Sequence, residues 1–424
     1  MIKTEYPQLD ETLWHGRLAN GLTVAVVPKK GFSKKLAYFV TDFGSIHRDF
    51  TLEGQEYHVP AGIAHYLEHK LFDMPDGRDV TAEFAALGAI TNAFTSYDMT
   101  AYYFSCTENF EQCLRLLLEF VSTPYFTEES VRKEQGIIDQ EIGMNEDAPE
   151  SKVFENLVST LYQRHPIRVP ILGTCETIRQ ITAETLHLCH RAFYTPGNMM
   201  LCVIGDVDAE AVAEMAEEVL DKALRPVGRK QKSWDESLVC PQSQTVSEME
   251  VAMPMFDLAF KCRPLGKGDE AIRQEMVADL AAEALFGESS ALYLRLYEAG
   301  IIDSSFGGGF ETVDGAAMLL CSGDCESPEV IREALVEQAR TLIAEGLGEE
   351  AFLRMKRSAL GRRIRGLDSF DSTCFRLCAY KMSDFDYFRF PEIYRDIRQE
   401  DVLKFIAETV KAEHSVLSVI EPLT

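Results

Sequence analysis

Residues 61–72 read AGIAHYLEHKLF and contain His65-x-x-Glu68-His69. On a helix, residues four apart project from one face about one turn apart. Two imidazoles so presented can fill two corners of a zinc tetrahedron. Glu68 follows three residues after the first histidine, near enough to hydrogen-bond a water held by the ion. The order is the inverse of the H-E-x-x-H zinc motif. A solvated helix carrying these residues by accident would not also be flanked by Ala61, Gly62, Ile63, Ala64, Leu67, Leu71 and Phe72. That company predicts a mostly buried helix, on which two histidines and an acid need partners that a metal supplies.

A catalytic zinc ordinarily has three protein ligands and an open position. The stretch Thr127–Asp147, TEESVRKEQGIIDQEIGMNED, reads as one long helix with Thr127 at its N-cap and Glu128 and Glu129 in its first turn. Glu134 and Glu141 are two turns apart and share a face, which Ile137 and Ile138 suggest is partly buried. One of these two glutamates is expected to supply the third ligand.

At this point the chain resembles the insulinase and pitrilysin-type inverzincin peptidases, which include the mitochondrial processing peptidases and many small bacterial members. The resemblance rests on His65-x-x-Glu68-His69 followed after roughly seventy residues by the Glu134–Glu141 pair. It rests also on Asn20 to Val24, Gly88-Ala89, Asn92 to Ser96 with Thr100 and Tyr102 to Phe104, His165-Pro166, Ile171 to Thr174 and Gly205 to Val207. Motif-level similarity spans residues 15 to 210. HYLEHKLF and KEQGIIDQEI are most similar to a bacterial processing-peptidase-like subgroup whose members occur beside a second, related protein. The resemblance implies Glu141 as third zinc ligand and Glu134 as the residue supporting the ligands. It implies one Zn2+ per chain and Glu68 as the general base. It also implies Asn92, Ala93 and Phe94 as the edge strand that holds an extended peptide by main-chain hydrogen bonds.

One departure from the family is informative. Catalytically complete members carry an Arg and a Tyr in a second-domain segment like R-E-x-x-G-L-x-Y. Here Ser289–Ser305 reads SSALYLRLYEAGIIDSS, and alignment on Gly300 puts Leu296 at the Arg and Asp303 at the Tyr. Arg295 is one residue early and on a regular helix points elsewhere. The expectation that follows is a heterodimer enclosing a chamber, with a related chain supplying the Arg and Tyr; a homodimer is the rival arrangement.

The elements that must position these residues recur. LTVAVVPK and KLAYFVTDFGS (22–29 and 35–45) look like paired strands. Strands at 89–96 and 99–107, helices, a strand at 199–204 and a helix at 208–223 complete the first half. A polar stretch, 225–236, reads as the linker. Strands near 247–252, 256–262, 305–311 and 316–322, helices over 268–299 and further helices make up the second. This predicts an α+β fold of two topologically similar domains, 1–228 and 237–424, each a mostly antiparallel sheet with helices packed on one face.

Composition agrees with two soluble domains: 424 residues, 46% hydrophobic and 26% charged. The net charge of −26 argues against nucleic acid and anionic membrane surfaces. It favours basic peptides if the acids line a cavity. The first thirty residues lack the apolar core of a signal peptide, and no apolar run is long enough to cross a bilayer. Eleven cysteines without C-x-x-C spacing fit reduced thiols in a cytoplasmic protein. The best basic cluster, Arg354, Lys356, Arg357, Arg362, Arg363 and Arg365, reads as an exposed helix face. The functional expectation is a zinc endopeptidase acting on peptides or small unfolded proteins. The alternatives are a peptide-maturation or modification-pathway accessory protein and a non-catalytic assembly subunit of the same fold.

Overall fold

The two apolar runs at 22–29 and 35–45 do form strands, but a third strand separates them. Met199–Gly205 is buried at every residue and needs a neighbour on each side, and it takes one run on each flank. The computed structural model describes every residue except Lys232 and Thr424. Among these the first ten strands are β1 (Ile2–Tyr6), β2 (Glu11–Arg17), β3 (Thr23–Pro28), β4 (Lys35–Thr41), β5 (Asp49–Leu52), β6 (Gln55–His58), β7 (Ile90–Thr95), β8 (Thr100–Cys106), β9 (Met199–Gly205) and β10 (Arg229–Lys230). The main sheet runs β1-β2-β3-β9-β4-β8-β7, parallel only between β3 and β9. Strands β5, β6 and β10 form a small separate sheet. The second set, β11 (Gln244–Met249), β12 (Met255–Lys261), β13 (Gly307–Val313), β14 (Ala316–Asp324) and β15 (Ser415–Pro422), runs β11-β15-β12-β14-β13.

The helices are α1 (Ile63–Lys70), α2 (Val80–Ala86), α3 (Phe110–Ser122), α4 (Glu128–Glu146), α5 (Pro149–Leu161), α6 (Cys175–Ile178), α7 (Ala183–Phe193), α8 (Ala209–Val219), α9 (Gly268–Phe286), α10 (Ala291–Glu298), α11 (Pro328–Glu345), α12 (Glu349–Arg365), α13 (Phe370–Met382), α14 (Phe390–Asp396) and α15 (Gln399–Thr409). The expected recurrence is present strand for strand. The order β3-β9-β4-β8-β7 repeats as β11-β15-β12-β14-β13, with the one parallel pair, β11 with β15, in the same place. In chain order α1, α3, α4, α5 and α7 then correspond to α9, α11, α12, α13 and α15. The last strand, β15, was missed from sequence, where only helices were expected to end the chain. Its run Val416 to Ile420 is wholly buried, and like β9 it is the apolar strand that the parallel pairing needs.

Strand alternation shows why each sheet is covered on two faces. In β4 and β9, Ala37, Phe39, Leu201 and Val203 join the core that contains α1 and α3. The intervening Leu36, Tyr38, Cys202 and Ile204 are equally buried, and α13 packs on that side against β4 and β9. The chain accordingly divides into two compact units. One holds Met1–Ile142, Pro170–Gln231 and Ile364–Arg389; the other holds Gly143–Val169, Lys232–Arg363 and Phe390–Thr424. The corresponding helices α5 and α13 are thus exchanged, each covering a sheet of the other half, which a division by chain order at 228 and 237 does not reveal.

Two further sequence expectations are modified within the second unit. The stretch ending at Glu236 is held firmly at that end: the Glu236 carboxylate accepts the backbone N–H groups of Gln163, Arg164 and His165, and the Trp234 ring lies 4.2 Å from the His165 ring. The basic helix is not simply a solvated face. Arg363 is buried against Glu275 and Asp279, Arg362 pairs with Glu283, and Lys356 donates to the carbonyls of Arg395 and Ile397.

Candidate metal centre

Helix α1 begins at Gly62, whose φ of 88° suits glycine. A Cβ there would come within 2.4 Å of the Leu172 carbonyl oxygen, and one on Gly173 within 2.6 Å of the Ala61 carbonyl oxygen. Two side-chain-free residues therefore let the loop around 172 lie directly on the start of the helix. Ile63, Ala64, Tyr66 and Leu67 fill the core and fix the helix rotation, which turns His65 and Glu68 inward with little exposure. Helix α4 approaches through Val131, Ile138 and Ile142, and the Tyr66 hydroxyl donates to the Val131 carbonyl. Ile137, its neighbour on the expected apolar face, is instead 49% exposed.

This packing brings together residues that the sequence separates by seventy positions. Nε2 of His65 is 3.4 Å from Oε1 of Glu141, and Nε2 of His69 is 3.5 Å from Oε2 of the same carboxylate. The ligand atoms of His65, His69 and Glu141 all lie within 4.8 Å of one another. A zinc tetrahedron with bonds of ~2.0–2.1 Å has edges of about 3.3–3.4 Å, so the observed spacings suit an ion among the three. Glu134 lies on the other side of His69, its Oε1 3.1 Å from Nδ1. An Nδ1–H donated to Glu134 leaves Nε2 as the lone-pair nitrogen facing Glu141.

The electrostatics favour a divalent cation. Glu68, Glu134 and Glu141 present three carboxylates, with Lys70 3.8 Å from Glu134 and Lys133 adding a weaker pull on it. With neutral imidazoles the cluster is net negative, the more so because Lys70 is shared with Asp73. The hydrogen bond to His69 is the largest influence holding the Glu134 carboxyl below its ordinary range, with Lys70 adding to it. His65 does the same for Glu141. Glu68 is different: burial pushes its carboxyl above the ordinary range, against the opposing pull of Thr95, His65 and His69. The carboxylate that stays most basic is thus the one outside the His65, His69 and Glu141 set.

Asn92, Ala93 and Phe94 fall on β7, the edge strand of the main sheet, which pairs with β8 alone. Asn92 is exposed, and its side-chain oxygen accepts the Ala93 N–H; Phe94 packs against Tyr103 and Phe375. Sequence reasoning missed two participants. Lys70 is 1% exposed and donates to Asp73 and to the Ser130 carbonyl as well as facing Glu134. Thr95 donates to Glu68 Oε2 at 2.6 Å. A lysine ending a buried helix was the available signal for the first; no local pattern marked the second.

The second unit also joins two helices through an i, i+4 pair of side chains. Glu275 and Asp279, four apart on α9, both accept from Arg363 of α12 at 2.8 Å. By chain order these helices are the counterparts of α1 and α4, which bring together His65, His69 and Glu141. Here the cation belongs to the chain.

Repeated α+β domains of this topology, with an inverted H-x-x-E-H helix met by a glutamate from a second helix, define an inverzincin-type metallopeptidase. The chain belongs to the insulinase family, peptidase family M16. Residues 54–175 match the model described as Insulinase (Peptidase family M16), and residues 180–359 match the Peptidase M16 inactive domain. The chain is 37% identical over 429 residues to the uncharacterized zinc protease YmfH of Bacillus subtilis (strain 168), covering 100% of both chains. It superposes on the crystal structure of an M16-like peptidase from Alicyclobacillus acidocaldarius with a TM-score of 0.93 and 32% identity, again over 100% of both chains. A protease from Helicobacter pylori, 19% identical with a TM-score of 0.82 over 97% of this chain and 99% of its own, shares the fold. Among the described residues no helix is long and apolar enough to cross a membrane.

Proposed function

We propose that this M16 zinc protease is an endopeptidase acting on extended, unfolded peptides, with zinc held by His65, His69 and Glu141 and with Glu68 as general base. The observation that carries the reading is the convergence of both His Nε2 atoms on one Glu141 carboxylate at 3.4 and 3.5 Å. A bound zinc would supply Lewis acidity toward the scissile carbonyl and acidify water to near neutrality. The chain's own residues do the rest. Glu68, kept basic by burial, takes the proton from the attacking water and passes it to the leaving amine. Glu134 fixes the His69 ring, and that contact, with Lys70 adding to it, keeps Glu134 charged. Edge strand β7 has β8 as its one strand neighbour, and an extended peptide adds to its other side at Asn92 to Phe94 irrespective of sequence, taking the Ala93 N–H from the Asn92 side chain. Retention of the whole set argues against a purely structural subunit.

The reading includes a related partner chain that completes a closed chamber. Helix α10 is regular over Ala291–Glu298, with Leu296 3% exposed and Arg295 on the exposed side. The position that the family pattern gives to Arg is thus the buried Leu296, while Arg295 beside it is exposed. Asp303, at the Tyr position, accepts the Ser305 N–H and offers no hydroxyl donor. Removing one oxyanion donor costs ~10²-fold or more in rate, so the isolated chain is expected to be slow and a partner with an intact Arg and Tyr to accelerate it. The test is metal analysis of the purified chain together with digestion of an unstructured peptide mixture, alone and with a related chain. One zinc per chain and internal, chelator-sensitive cleavage support the proposal; a chain that takes no zinc overturns it.

A further inference from the structure

Glu68 is an acid on a core helix, 8% exposed, and a general base must be aimed as well as basic. Its hydrogen-bonding contact comes from Thr95, whose Oγ1 donates to Oε2 at 2.6 Å. Thr95 is the last residue of β7, one position beyond the segment Asn92 to Phe94, and pairs across the hairpin with Thr100. This hairpin is held stiffly. The Ser96 and Tyr97 carbonyls accept the N–H groups of Ser45 and Ile46 at 3.1 and 3.0 Å, and the buried Thr100 hydroxyl donates to the Phe43 carbonyl at 2.9 Å. Gly44 lies so close beneath that a Cβ on it would stand 2.6 Å from the Asp98 and Met99 nitrogens and the Ser96 oxygen. The Thr95 hydroxyl is thus presented from a fixed platform, while Glu68 has three rotatable bonds of its own.

We infer that Thr95 is the positioning residue for Glu68, fixing the base in register with the strand to which substrate backbone adds. The inference rests on the peptidase reading for its consequence in catalysis, but not for its geometry. A carboxylate deprived of its charge-assisted bond turns elsewhere, leaving substrate binding on β7 intact. Thr95→Val keeps the shape and removes the donor; Thr95→Ser keeps the donor.

Two measurements test this together. Crystal structures of the zinc-soaked wild-type and Thr95→Val proteins should show Glu68 swung out of its wild-type orientation in the variant, with His65 and His69 unmoved. Kinetics on an unstructured peptide should show kcat lowered about ten- to a hundredfold in Thr95→Val with KM nearly unchanged, and restored in Thr95→Ser. A Glu68 that keeps its place without the hydroxyl overturns the inference, whatever the activity. So does a Thr95→Val enzyme of wild-type kcat. If Glu68 moves while even the wild-type protein cuts nothing, the positioning role stands and the peptidase reading falls.

Discussion

Glu134 touches the nitrogen of His69 that Glu141 does not. Its carboxylate is 3.1 Å from Nδ1, while Glu141 is 3.5 Å from Nε2. The two glutamates therefore act on opposite edges of one ring and have separable effects. Glu141→Gln should abolish tight zinc binding. Glu134→Gln should weaken it by about 10- to 100-fold, the usual effect of losing a residue that orients a ligand. Competition with a chromogenic chelator measures both, and the reverse ranking would exchange the two roles.

Lys70 should matter through Glu134. It is almost fully buried, so Lys70→Met removes the cation that Glu134 and Asp73 share. Zinc affinity should change less than in Glu134→Gln, because the His69 contact survives and the lost cation leaves the site more negative. The same chelator titration checks this; a Lys70→Met protein that binds zinc more weakly than Glu134→Gln would contradict it.

His190 gives the first unit a pH-dependent stability. Burial, reinforced by His187 and Arg225, holds its ring down to about 4 although its Nε2 approaches the Val121 carbonyl. The unfolded chain binds that proton near the ordinary value of about 6.5. Between these values the unfolded state holds more protons, so stability rises with pH across the window and the penalty is full below about 4. The swing attributable to this ring is about 3 kcal/mol. Urea unfolding of His190→Gln should show a stability difference from wild-type that changes in the variant's favour as pH drops from 7 to 4.5. A constant difference would contradict the assignment.

Arg363 should be a point of fragility in the second unit. Arg363→Met leaves Glu275 and Asp279 without their cation, beside Glu311, whose carboxyl burial already raises. Breaking such a pair costs about 3–5 kcal/mol when fully buried, and about 2–3 here because Asp279 is a third exposed. The triple variant with Glu275→Gln and Asp279→Asn should recover much of the loss. Denaturant midpoints decide it, and an Arg363→Met protein as stable as wild-type would refute the account of this cluster.

Much of this was legible before any coordinates, and the division follows the range of the forces involved. His65, Glu68 and His69 announce themselves because helical periodicity places them on one face, and Glu134 and Glu141 stand out as a pair two turns apart on one long helix, with only the family resemblance singling out Glu141 as the ligand. The recurring order of elements follows from apolar alternation. What escaped was non-local. No sequence pattern says that β9 inserts between β3 and β4, or that β15 is the equivalent strand. Nor does it say that α5 and α13 exchange sheets, since that is decided by which bare face needs cover. Thr95 and Lys70 escaped for the same reason: their significance lies in an approach across 27 and 64 residues, to Glu68 and Glu134.

The central claim is that Glu68 performs the proton transfer for peptide cleavage at a zinc held by other residues. It is tested most directly by comparing wild-type and Glu68→Gln proteins, each shown by metal analysis to hold one zinc, on an unstructured peptide mixture with and without the related partner chain. The wild-type protein is expected to show chelator-sensitive internal cleavage, faster with the partner, and Glu68→Gln none despite its bound metal. Equal cleavage by the two zinc-loaded proteins would contradict it.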